Sequence, residues 1–316
     1  MLSCYVWLRL GKDLPAGERD ALSRQFPQVQ FLSSIEPQDY ASVDVVFTNS
    51  RLPDETAAEL SALKWIHTTY GGGLAFLTPS VVARAVTVTC SRGVQAAPLS
   101  EFTEACVLAL AKKLPAMARL KAERRWDETL KPDTLAGKTV GLLGLGAVGS
   151  SIAERLHKHG MTIQAIRRNV QQTLPCVDRV VGMDRLPEIL RQSDFLIISL
   201  PGSPEMRGLI GEAQLRSMKP DSYLINLVTR EIVDDADLAR ALRENWIAGA
   251  ACNVFAASPL PADSPLWDAP NLIISPNVAQ SDPQRWQKLR KVFTDNLERH
   301  LTGAPRLNVV NGGSAD

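Results

Sequence analysis

Residues 144–149 read Gly-Leu-Gly-Ala-Val-Gly. In this GxGxxG spacing the first glycine permits a tight turn, the second lets backbone approach a pyrophosphate, and the third lets the following helix pack closely. The loop directly follows the apolar run TVGLL and opens a helical pattern, so a helix N-terminus would face the anion. About twenty residues beyond such a loop, an Asp or Glu ordinarily binds the ribose 2′-hydroxyl of NAD. Here the next strand-like run, MTIQAI, ends in Arg167 and Arg168. Guanidinium groups bind a 2′-phosphate through charge-assisted forks, so the expected ligand is NADP(H) in preference to NAD(H). The bland alternative is a solvated Arg pair at a strand end.

Other residues able to do chemistry are sparse. The four histidines, His67, His157, His159 and His300, show no metal-ligand spacing, and no metal is expected. His67 reads as a partly buried residue at a strand end, His157 and His159 as solvated positions after the glycine loop. His300 falls on the last helix among charged neighbours. The five cysteines, Cys4, Cys90, Cys106, Cys176 and Cys252, are scattered without a CxxC pair. That pattern fits a reducing cytoplasm and offers neither a redox couple nor a disulfide framework. Cys252 reads as a small buried residue rather than a reactive thiol.

Two series of elements must position the loop. The segments SCYVWLRL, VQFLS, VDVVFTN and WIHTTY are strand-like; AGERDALSRQF and DETAAELSALK between them are helical in period. The glycines at 71–73 end the last of these strands. One long helical stretch is expected from Pro98 to about Trp126, kinked or divided by Pro115. A second series begins at KTVGLLG and continues through strands MTIQAI, DFLIISL, SYLINLV and IAGAACNVF, separated by helices such as LPEILRQS and DADLARALREN. The segment DPQRWQKLRKVFTDNLERHLTG is one amphipathic helix, and the tail NGGSAD is expected to fray. This alternation predicts α/β architecture with parallel sheets covered by helices.

The 316 residues suit two domains, and 45% hydrophobic with 22% charged residues is ordinary globular composition. With 35 Lys plus Arg against 34 Asp plus Glu, the net charge of +1 gives no field to hold a polyanion. Nucleic acid and membrane partners are therefore not expected. The apolar stretch of residues 2–10 is broken by Arg9 and followed by Pro15, so it reads as a strand rather than a leader or span.

Several blocks, in order, resemble the D-2-hydroxyacid dehydrogenases, particularly their glyoxylate and hydroxypyruvate reductase-like branch. They are LKWIHTTYGGG, VTCSRGVQAAPLSEF, LAGKTVGLLGLGAVG, SLPGSPEMRGLIG, LINL with IVDDADL, IAGAACNVFAASPLPADSPLWDAPNLIISP, and NVVN. The resemblance implies two Rossmann-like domains with doubly wound parallel sheets. A flavodoxin-like cap domain, residues 1–97 and 283–316, would enclose a dinucleotide domain, residues 98–282. It also implies a small-molecule substrate, a homodimer, and hydride transfer between nicotinamide and a carbon bearing a 2-hydroxy or 2-oxo group. Cofactor contacts would come from Gly144, Gly146, Ala147, Val148, Gly149, Arg167, Arg168, Leu200, Pro201, Ser203, Val228, Thr229 and Asn253. Tyr70, Gly72, Gly73 and Arg92 would face substrate.

The family ordinarily uses an Arg to fork the substrate carboxylate and a His to exchange the hydroxyl proton, with a Glu to hold that His. The matching positions of this chain are changed. The Arg slot between Asn226 and Asp234 holds Thr229, with Arg230 one residue late; the Glu slot in VFAASPLP holds Ser258; the His slot after Pro276 holds Asn277. Asn253 replaces the Asp that commonly precedes the VF pair, and Ala75 stands in the cap loop where an Asp is usual. Tyr70, Arg92, Arg230 and Trp286 are the candidate substitutes. Three functions stay open: an oxidoreductase with an altered site and an unusual substrate, an ordinary glyoxylate or hydroxypyruvate-type reductase with relocated groups, or a dinucleotide-binding sensor without turnover.

Overall fold

The structure, a computed structural model, describes residues 2–7, 17–202 and 204–310. Residues 8–16 and 311–316, and with them the end of the first apolar run and the NGGSAD tail, lie outside the described residues. The chain divides into two compact units, Met1–Val94 with Pro283–Asp316, and Gln95–Asp282.

The first unit holds strands β1 (Leu2–Trp7), β2 (Val29–Leu32), β3 (Val45–Thr48), β4 (Trp65–Thr68) and β5 (Thr87–Cys90). Its early helices are α1 (Glu18–Gln25), α2 (Asp54–Glu59) and α3 (Pro79–Ala83). The strands pair in parallel in the order β2-β1-β3-β4-β5, the flavodoxin-like winding. Alternate side chains serve opposite faces. Val46, Ile66 and Val88 pack with Leu60 and Val81, while Val45, Phe47 and Trp65 pack with Leu22 and Phe26. The second face closes only when the C-terminal helix returns. Phe293 of that helix stacks on Phe47 with ring centroids 4.3 Å apart, and on Trp65 at 5.6 Å.

The second unit opens with α4 (Ala96–Ala111) and α5 (Leu114–Ala122). The helical stretch expected from 98 to 126 is divided near Pro115, as that residue predicts. The break precedes Pro115: Lys113 takes φ 59°, in the left-handed region, and the proline, which needs no amide partner there, lies in the first turn of the new helix. Next come β6 (Thr139–Leu143), α6 (Ala147–His157), β7 (Thr162–Ile166), β8 (Arg179–Val181), α7 (Leu186–Gln192), β9 (Phe195–Ile198) and α8 (Glu212–Ser217). They are followed by β10 (Tyr223–Asn226), α9 (Asp235–Arg243), β11 (Gly249–Cys252) and β12 (Leu272–Ile274); α10 (Arg285–Thr302) belongs to the first unit.

The seven strands are parallel in the order β12-β11-β10-β9-β6-β7-β8. Chain order therefore reverses between β6 and β9, the crevice where doubly wound sheets bind ligands. Both faces are buried, so the strands read as nearly continuous apolar runs. Val140, Leu142, Ile163 and Ile197 meet α4 and α6, whereas Leu143, Leu196 and Leu224 meet α7, α8 and α9.

His157 is exposed as expected, whereas His67 and His159 differ from expectation. His67 is wholly buried, because β4 is flanked by β3 and β5 and both faces of its sheet are covered. Trp65 Nε1 donates to Thr89 Oγ1 at 2.8 Å, which leaves the Thr89 hydroxyl to donate to His67 Nδ1 at 2.7 Å; His67 Nε2 then donates to Ser91 Oγ at 3.1 Å. Burial drives its pKa down to about 3, so the ring is neutral. His159 is not simply solvated: its Nε2 lies 2.7 Å from Glu104 on α4, where Arg155 also binds at 3.0 Å. His300 packs on Trp65 at 5.3 Å with Arg306 against its Nδ1.

Candidate functional site

The glycine loop joins β6 to α6 beside the topological switch. Gly144 has φ 102°, and a Cβ there would meet the Leu200 amide nitrogen at 2.9 Å. A Cβ on Gly149 would lie 2.2 Å from the Gly144 carbonyl oxygen, so only glycine allows α6 to start this close to the loop. Gly146 is different: a Cβ would meet nothing within 4 Å, and its backbone faces open space. The first intrahelical bond runs from the Ser150 amide to the Gly146 carbonyl at 2.8 Å. The amides of Ala147, Val148 and Gly149 precede it and remain available to an anion. These residues fit a dinucleotide pyrophosphate. Ser199 stiffens the loop by donating to the Gly144 carbonyl at 2.7 Å, a contribution sequence reading missed.

Arg167 and Arg168 follow β7 directly. The Gly144 amide donates to the Ile166 carbonyl at 3.0 Å, which ties the β7 end to the glycine loop. Arg167 is half-buried and Arg168 exposed, and neither forms an ion pair among the described residues. No Asp or Glu occurs from 167 to 177. Two cationic groups thus remain unneutralised where the ribose end of a dinucleotide would lie.

Leu200 and Pro201 follow β9, with Pro201 exposed; Ser203 lies outside the described residues. Val228 and Thr229 leave β10. Thr229, in the Arg slot, is buried, and its hydroxyl donates to the Leu200 carbonyl. Its amide donates to Asn226 Oδ1 at 3.3 Å, and Asn226 Nδ2 donates to the Thr229 carbonyl at 2.9 Å. Thr229 therefore ties the β10 loop to the β9 loop. Arg230 lies in a turn, exposed, with no ion pair among the described residues, while the adjacent Glu231 pairs with Arg207 at 2.7 Å.

Ser258 is exposed on the loop after β11. Asp235 holds that loop by accepting from the Ala256 amide at 3.0 Å, and burial raises its carboxyl above the usual range. Asn277 is exposed at the end of the β12 loop with φ 59°, a left-handed conformation that Asn tolerates better than most residues. Asn253 is buried and fully engaged: Ser275 Oγ and the Ala279 amide donate to its Oδ1 at 2.7 and 3.0 Å, and its Nδ2 donates to the Leu227 carbonyl at 3.1 Å. Cys252 is buried with its thiol pushed up to about 12, so it is no nucleophile.

In the first unit, Tyr70 is half exposed with its ring 6.3 Å from Phe76, and Gly72 is open. A Cβ on Gly73 would strike Val310 at 2.6 Å. Close approach of the returning C-terminal segment therefore accounts for that glycine. Arg92 lies beside the Cys90 thiol, and Trp286 packs against Phe47 at 6.1 Å. Among the described residues there is no group of His, Cys, Asp or Glu able to hold a metal, and no helix long and apolar enough to cross a membrane.

An open glycine loop at the switch point of a seven-stranded parallel sheet defines a dinucleotide-binding α/β protein. A family model described as D-isomer specific 2-hydroxyacid dehydrogenase, NAD binding domain, matches residues 105–279. A glyoxylate reductase of Thermofilum pendens is 32% identical over 242 residues, 74% of this chain and 70% of that protein. A glyoxylate reductase of Aeropyrum pernix is 34% identical over 241 residues, 71% of this chain and 69% of that protein. The crystal structure of a D-isomer specific 2-hydroxyacid dehydrogenase from Xanthobacter autotrophicus Py2, in complex with NADPH and MES, superposes with TM-score 0.83 at 28% identity, covering 99% of each chain. The chain belongs to the D-isomer specific 2-hydroxyacid dehydrogenase family, and so to the NAD(P)-dependent oxidoreductases.

Proposed function

We propose that the protein is an NADP(H)-preferring reductase of a small oxo substrate, in which neutral hydrogen-bonding groups stand where the family ordinarily has Arg, Glu and His. The cofactor preference rests on the unpaired Arg167 and Arg168 at the β7 end, and the NADPH bound by the Xanthobacter relative agrees with it. When bound, NADPH supplies a hydride to the carbonyl carbon. The Ala147, Val148 and Gly149 amides hold the pyrophosphate, and the two arginines hold the 2′-phosphate.

The observation that carries the altered chemistry is the trio Thr229, Ser258 and Asn277, none of which titrates near neutral pH. Asn277 can donate to a substrate oxygen but cannot protonate it, so water must deliver the proton to the developing alkoxide. Loss of a general acid costs a factor of about 10²–10⁴ in rate. The Thr229 hydroxyl, already bonded to Leu200, cannot replace an arginine fork, which favours substrates that do not depend on a carboxylate anchor. Free cysteines are consistent with a reducing, cytoplasmic setting. The exposed Leu114, Met117 and Trp126 on and after α5 support a homodimer, to be tested by light scattering.

Oxidation of NADPH with glyoxylate and hydroxypyruvate, by wild type and by a Ser258→Glu, Asn277→His variant, tests the altered site. Slow wild-type turnover with a faster variant is expected. Wild-type kcat within the ordinary range of about 1–10³ s⁻¹, unimproved by the variant, would show that the acid has been relocated. Detectable turnover of any oxo substrate excludes the sensor function.

A further inference from the structure

Asn277 does not stand alone at the β12 end. Gln280 Nε2 donates to the Asn277 carbonyl at 2.8 Å and to Asn277 Oδ1 at 3.3 Å. Gln280 Oε1 in turn accepts from Asn253 Nδ2 at 3.3 Å. Oxygen and nitrogen of a side-chain amide are normally assigned from their partners. Here backbone groups, whose polarity is fixed, settle both ends of the chain. The Ala279 amide can only donate, so the Asn253 atom it meets is the oxygen and the other is the NH₂. That NH₂ requires an acceptor in Gln280, which turns the Gln280 NH₂ toward the Asn277 carbonyl, itself only an acceptor. The same NH₂ holds Asn277 Oδ1, leaving Nδ2 of this exposed residue with no partner among the described residues.

We infer that Gln280 is a positioning residue: it orients the Asn277 amide so that its NH₂, not its carbonyl, is offered to a substrate oxygen. A His held by a Glu is replaced by a one-way chain of amides from the buried Asn253 through Gln280 to Asn277. Such a donor stabilises the negative charge that develops on oxygen without transferring a proton. It also holds the left-handed Asn277 backbone in place, since Gln280 binds that residue's own carbonyl. This inference rests on the reading of Asn277 as the group that meets substrate oxygen.

The test uses Gln280→Leu and Gln280→Glu in the full chain with NADPH. Leucine removes the donor at similar size; glutamate restores it only while protonated. Gln280→Leu is expected to lower kcat by about tenfold, with NADPH affinity unchanged as the check on folding. For Gln280→Glu, kcat should fall as pH rises through the introduced carboxyl's pKa, above its free value of about 4.3, while wild type shows no such limb. Side-chain amide NMR supplies a readout independent of turnover: the Asn277 NH₂ signal, assigned by its loss in Asn277→Asp, should shift in Gln280→Leu. An unmoved Asn277 signal, or unchanged kcat in both variants at every pH, would overturn the role of Gln280. If wild type reduces no oxo substrate, the proposed function fails, and the NMR signal still decides whether Gln280 orients Asn277.

Discussion

The two arginines after β7 allow the cofactor preference to be worked through. Arg167 is half-buried and Arg168 exposed, and neither spends its charge on a carboxylate among the described residues. A 2′-phosphate would therefore meet two unneutralised guanidiniums. An exposed charge-assisted contact contributes up to about 1 kcal/mol, and a partly desolvated one about 1.5–3 kcal/mol. Together they give about 3 kcal/mol, or a little over two decades in Kd at 1.4 kcal/mol per decade. Replacing both by alanine should weaken NADPH roughly 100-fold or more while leaving NADH, which has no 2′-phosphate, within about twofold. Arg168→Ala alone should cost about fivefold, and raised salt should erode its share first because it is exposed. The assay is energy transfer from protein tryptophan to bound nicotinamide, titrated with each dinucleotide at low and high salt. Equal wild-type affinity for NADH and NADPH would refute the reasoning, as would a double variant that loses both dinucleotides alike.

Other outcomes follow from the same geometry. Gly149→Ala drives a Cβ to 2.2 Å from the Gly144 carbonyl oxygen; it should abolish dinucleotide binding and cost about 1–3 kcal/mol in denaturant unfolding. Thr229→Val keeps the volume but strands the Leu200 carbonyl, for a loss of about 1–3 kcal/mol, and Thr229→Arg should cost more because the site is buried. Phe293→Ala removes the ring stacked on Phe47 and should cost about 3–5 kcal/mol, read by thermal melting. His67 titrates near 6.5 unfolded and near 3 folded, so the unfolded chain binds the extra proton between those values. Its contribution is intact above about pH 6.5 and lost on acidification at about 1.4 kcal/mol per pH unit, near 2 kcal/mol by pH 5. Urea unfolding at pH 7.5 and 5 should show a shallower loss in His67→Gln.

Local signals carried much of the fold. The short, nearly continuous apolar runs and the glycine loop suffice for a parallel sheet with an anion-binding helix start, because strand burial on both faces and the demands of a tight turn are written in adjacent residues. The exact point of division of the 98–126 stretch is not written locally. Pro115 marks the division, but the left-handed turn at Lys113 satisfies backbone demands that no residue type announces. The settings of His67 and His159 are not legible locally for the same kind of reason: burial and partners come from β5 and α4, distant in sequence.

At the site, sequence alone determined which groups are present: glycines at 144, 146 and 149, arginines at 167 and 168, and no titratable side chain at 229, 258 or 277. Tertiary structure decided what those groups are free to do. It committed the Thr229 hydroxyl to Leu200, exposed Ser258 and Asn277, and placed Gln280 between Asn253 and Asn277. Residue type fixes charge and hydrogen-bonding capacity, whereas the direction of a hydrogen bond depends on backbone groups brought together from separate strand ends.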